Sequence, residues 1–92
     1  MAETEEINMK TLKDLEEMKN KTMFPFENQY DCLFARLEDY YIAKSDGVNR
    51  IKEELQNWDK ESQQVIVNKL IDIISESGII GFDKNKILSL IE

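Results

Sequence analysis

Histidine is absent from these 92 residues. With it go the imidazole base, the Ser-His and Cys-His nucleophile pairs and the histidine metal ligand, so the common hydrolase and metalloenzyme arrangements are closed to this chain. The one cysteine, Cys32, can form no intramolecular disulfide, whereas a secreted domain of this size ordinarily carries a framework of paired cysteines. One proline and three glycines are too few for the turns of a β-sandwich, which leaves helices as the building material. The glycines stand isolated at Gly47, Gly78 and Gly81, so no glycine-rich loop exists to cradle a phosphate. No apolar run approaches the roughly 20 residues of a membrane span. The stretch Ala2-Glu3-Thr4-Glu5-Glu6 is acidic where a signal peptide needs a basic region and then an apolar run. The expectation is a cytoplasmic protein in a reducing compartment, with no membrane contact.

What the chain has in excess is carboxylate. Nineteen acidic side chains face twelve basic ones, a formal charge of −7, and residues 1–46 hold eleven of the acids against six bases. Neither half offers the basic stripe that grips phosphates, which argues against direct nucleic-acid binding. An acidic balance serves solubility first; it also suits docking on a basic partner surface. Hydrophobic residues make up 41%, an ordinary globular share, and the length allows one small core but not two.

Apolar spacing then lays out the helices. Over residues 4–21, Ile7, Leu12, Leu15 and Met18 form a thin stripe, supported by Glu6–Lys10 and Glu17–Lys21 at i,i+4. A stripe this thin predicts a helix that rests on the edge of the core or forms a seam with a second copy. Pro25 interrupts the pattern and can open a new helix, because its missing N–H is harmless in a first turn. From Tyr30 the stripe of Tyr30, Leu33, Leu37 and Tyr40, widened by Phe34 and Tyr41, predicts an aromatic helix closed near Asp46-Gly47 by a left-handed glycine. Val48, Ile51, Leu55 and Trp58 follow as a short third helix anchored by Trp58.

Asp59 has the chemistry to cap the next helix. In that helix Ile66, Val67, Leu70, Ile71, Ile73 and Ile74 span an arc of roughly 160°, wide enough to touch neighbours on two sides. Gly78 ends it with Ile79 placed over Ile74, and Asp83 caps the last segment with Phe82 and Ile87 as a hydrophobic staple.

The remaining constellations are weak as chemistry. Cys32 lies off the apolar stripe and reads as a small packed side chain. Glu16-Glu17, Glu38-Asp39 and Glu53-Glu54 are adjacent pairs, about 100° apart on a helix, and do not converge on a substrate. Asp83-Lys84-Asn85 resembles the start of a calcium loop, but Leu88 occupies the position where that loop requires glycine. What is left is surface recognition. Phe24 and Phe26 flank the proline at a helix junction, where rings fill a core gap, the expectation for them, or insert into a partner's pocket as anchors. Tyr40 and Tyr41 sit beside Glu38 and Asp39, with at least one hydroxyl expected to find a hydrogen-bond partner or water. The candidate contact residues are therefore Phe24, Phe26, Glu38, Asp39, Tyr40 and Tyr41.

These observations predict an all-α fold, a single domain over residues 1–92 built as a small bundle of four or five short helices. Residues 1–22 form its peripheral or dimer-forming helix and residues 23–92 its compact core. The expected core centre is Tyr30, Phe34, Leu37, Leu55, Trp58, Ile66, Leu70, Ile73 and Ile74. The expected function is a non-catalytic protein-interaction module, a small adaptor, regulator or accessory subunit, with a protein partner or a second copy of itself. No catalytic residue, cofactor, metal or small-molecule substrate is expected. The rival is an acidic inhibitor or immunity-type protein that occupies the basic groove of a nucleic-acid enzyme, its carboxylates mimicking phosphate. Small acidic helical immunity proteins and phage inhibitors are similar in size and charge alone.

Overall fold

A computed structural model describes residues 9–43, 46–79, 81 and 83–91, and within them the chain is all helix and turn. Five α-helices follow one another: α1 Leu12–Glu17, α2 Gln29–Ala43, α3 Gly47–Leu55, α4 Lys60–Glu76 and α5 Lys84–Leu88. Short 3₁₀ turns extend α1 over Met18–Asn20 and α5 over Ser89–Ile91. The small all-α domain expected from the sequence is the one observed. No helix among the described residues is long and apolar enough to cross a membrane.

The first helix departs from expectation. Instead of running over residues 4–21 it begins at Leu12, because residue 10 is held in extended backbone against the corner between α3 and α4. Lys10 N–H donates to the Asn57 carbonyl at 2.9 Å, and Asp59 N–H donates to the Lys10 carbonyl at 2.9 Å. These bonds satisfy both backbone groups of Lys10 outside a helix. Ile7 and Glu6 lie outside the described residues. The side chain of Asp14 reaches back to the Thr11 N–H at 2.8 Å and so satisfies a donor at the start of α1. Glu17–Lys21 does not form as a helical pair, since Lys21 is already extended; Lys19 pairs with Glu16 instead, at 3.4 Å.

Nor is α1 confined to the edge of the core. Leu15 is only 1% exposed and belongs to the central cluster, with Leu12 and Met18 packed against it. Its apolar stripe is thin but is used within this chain.

The second helix starts at Gln29, four residues beyond Pro25, and the residue that starts it is Asn28. Its Oδ1 accepts from the Asp31 N–H at 2.8 Å, an N-cap bond, while its carbonyl accepts from Cys32 N–H. The other end also differs. Gly47 does not close α2 in a left-handed conformation; it is the first residue of α3. Glycine is required there for space, because a Cβ on Gly47 would overlap the carbonyl oxygen of Tyr40. The α2–α3 corner is therefore a close backbone approach.

The cap, the apolar arc and the glycine stop expected of α4 are all observed. Asp59 accepts from the Ser62 N–H at 2.9 Å as its N-cap. The Ser62 hydroxyl, itself buried and without a well-formed hydrogen bond, lies beside the same carboxylate. This hydroxyl and the Ser62 N–H together hold Asp59 below the ordinary carboxylate range. Ile66, Val67, Leu70 and Ile74 are buried, with Ile71 and Ile73 half-buried on the flanks of the arc. As its width predicted, this face packs on α1, α2 and α5. Gln63 was missed by sequence reasoning. It is buried on α4, and its amide donates to the carbonyls of Leu55 at 2.8 Å and Trp58 at 2.9 Å where α3 ends, the first of which also accepts from the Trp58 N–H at 3.0 Å.

Gly78 stops α4 with a φ of 69°, the left-handed value that glycine adopts without strain. Asp83 caps α5 by accepting from the N–H groups of Asn85 and Lys86, and Ile87 is buried behind it. The Phe82 half of the expected staple lies outside the described residues.

The core joins all five helices: Leu15, Leu33, Phe34, Leu37, Tyr41, Ile51, Leu55, Trp58, Ile66, Val67, Leu70, Ile74 and Ile87. Tyr30 and Ile73, expected at its centre, are half-buried against its margin.

Candidate functional site

Helix α2 is preceded by an irregular loop, and the loop is pinned at both base and tip. At the base, Gln29 N–H donates to the Lys21 carbonyl at 2.8 Å. At the tip, Met23 and Phe26 pair as an isolated antiparallel bridge. The Phe24–Pro25 peptide bond between them is cis, which makes Pro25 the third residue of a type VI turn.

This turn points its apolar side chains outward. Phe24 is 91% exposed, Met23 40% and Phe26 38%. Six large hydrophobic residues are exposed among the described residues, and three of them share this one turn. The core role expected for Phe24 and Phe26 is thus overturned. On α2, Tyr30 and Phe34 stack one helical turn apart at 4.9 Å in a tilted arrangement, with the Lys19 ammonium 4.8 Å above the Tyr30 ring. Met23 belongs with the exposed rings and was not among the expected contact residues. The signal available for it was its place beside Phe24-Pro25-Phe26, outside any helical stripe.

A shallow groove adjoins the base of the turn. Lys21 and Gln29, the residues that close the loop, line it together with Lys10, Asp14, Glu17, Met18 and Trp58. Its rim carries both signs of charge, and Lys10 lies 5.2 Å from the centre of the Trp58 ring.

The other four expected contact residues do not form one patch. Successive helix positions diverge by about 100°, and each residue here finds a different neighbour. The Glu38 carboxylate accepts from the Ser77 hydroxyl at 2.6 Å, tying α2 to the end of α4. Asp39 is exposed. The Tyr40 ring is half-buried, 5.8 Å from the Arg50 guanidinium of α3. Tyr41 is buried, and its hydroxyl accepts from the Asp83 N–H at 3.2 Å, so the expectation of a partnered hydroxyl is met inside the fold. Nor does this end of α2 meet the Phe24 turn. Between Gln29 and Glu38 the helix rises roughly 14 Å, so Phe24 and Phe26 stand apart from Glu38, Asp39, Tyr40 and Tyr41.

A second groove lies between Tyr40, Asp46, Arg50, Glu53, Glu54 and Asn57. Two of its three acids are engaged within the fold, and Glu53 is exposed. Glu54 accepts from Arg36 at 3.3 Å and from the Trp58 indole N–H at 3.2 Å, and Asp46 lies 3.9 Å from Arg50. Among the described residues no group of three His, Cys, Asp or Glu side chains could hold a metal ion. Cys32 is free and half-buried on α2.

Comparison with known proteins finds no matching family model, no similar curated protein and no similar solved structure.

Proposed function

We propose that this chain is a non-catalytic protein-interaction module whose anchor is the apolar turn over residues 23–26. The observation that carries the reading is Phe24, a phenyl ring 91% exposed at the tip of a bridged turn. Burying such a side chain gains about 1.5–3 kcal/mol, which the fold of the single chain forgoes. Backbone already closed by the Met23–Phe26 bridge loses little conformational freedom when a partner covers the turn, so more of that gain reaches the affinity. Aromatic anchors of this kind carry a large share of interface energy when surrounded by a polar rim, and Lys19, Lys21 and Glu27 supply such residues nearby in the chain. The non-catalytic character rests on a sequence without histidine and on adjacent carboxylates that diverge along helices. The single cysteine fits a reducing, cytoplasmic setting.

The charge-mimic reading draws its support from the net charge of −7. Against it stand the acids committed to partners within the fold: Glu38 to Ser77, Glu54 to Arg36 and Trp58, Asp14 to Thr11. The two readings part on salt. An affinity capture from nuclease-treated lysate, washed at low and then at high ionic strength, is run with the wild type and with Phe24→Ser. The module reading expects a stoichiometric protein retained at high salt and bound about 30-fold more weakly by the variant, the loss of one anchor worth ~2 kcal/mol. Circular dichroism should report the same fold for both. A partner held equally by both proteins and released at high salt would replace the module with the mimic.

A further inference from the structure

We draw no further inference here: the strongest candidate, the apolar turn over residues 23–26 with the mixed-charge groove at its base, belongs to the site already described, and nothing in the structure shows what covers it.

Discussion

Gly47 and Gly78 are the same residue type serving two different needs, and substitution separates them. At Gly47 an added methyl collides with the backbone carbonyl of Tyr40, which cannot swing aside without moving α2. Gly47→Ala should therefore cost at least about 2–3 kcal/mol, the upper range for overpacking. Gly78 has open space around its Cα but a φ of 69°, so Gly78→Ala should cost only the left-handed strain, about 1–2 kcal/mol. Urea midpoints of the two variants test the order; a milder loss at Gly47 would contradict the close approach.

Asp59 gives a pH test. Its carboxyl is held below its ordinary value of 3.8 by the Ser62 hydroxyl and N–H. A depressed folded-state pKa contributes stability that is present above the unfolded value and lost as pH falls through the folded one. Asp59→Asn keeps an oxygen for the cap but has no proton to gain. Between pH 6 and pH 3 its unfolding midpoint should therefore fall less than that of the wild type, and parallel curves would sink the assignment.

Residues whose role is local chemistry were legible in the sequence: Asp59 and Asp83 as caps, Gly78 as a stop. Gly47 was not, because a glycine that ends a helix and one that lets two helices approach look alike until the partner backbone is known. Gln63 was hidden for a related reason. A lone polar residue on an apolar face acquires meaning only from the carbonyls of Leu55 and Trp58 to which it donates.

Among the helices, α4 was the most readable because several signals agree on it: a cap, a wide apolar arc and a glycine stop. Agreement across levels is what makes a segment decipherable. Helix α1 had apolar spacing and two i,i+4 charge pairs, and neither could foresee that residue 10 would be drawn into extended pairing with the α3–α4 corner. The beginning of α2 was misjudged in favour of Pro25, although Asn28 with Asp31 three residues on is the ordinary pattern of a capped start.

The position of α1 makes its own prediction. Since Leu15 is buried in the common core, Leu15→Ala should lower the stability of the whole domain by about 2–5 kcal/mol in one cooperative transition. A helix lying only at the periphery would lose under about 1 kcal/mol, as surface positions do. Chemical denaturation followed by Trp58 fluorescence and by far-ultraviolet circular dichroism distinguishes these, because the indole reports the core and the dichroism all five helices.

At the level of the whole molecule, the fold class could be read from composition and period, whereas the candidate site could be read only in part. Proline and its flanking rings were singled out, but their direction was not, since an apolar residue at a helix junction turns inward or outward according to whether other rings already fill the space. Here Phe24 stands outside, 91% exposed. At the acidic and aromatic end of α2, Tyr40, Glu38 and Tyr41 hold α2 to α3, α4 and the start of α5, while Asp39 stays exposed. Among the described residues, three of the six exposed large hydrophobics share the turn over residues 23–26, which is why the proposed contact is placed there.

The measurement that bears most directly on this account places a photo-crosslinking phenylalanine analogue at position 24 and, in a second protein, at Val65, which is 40% exposed on α4. Each is irradiated in lysate and the adducts are identified by mass spectrometry. The account predicts one dominant protein adduct from position 24 that is missing from position 65 and is competed away by excess unmodified chain. Equal, diffuse labelling at both positions, or no adduct at position 24, would contradict it.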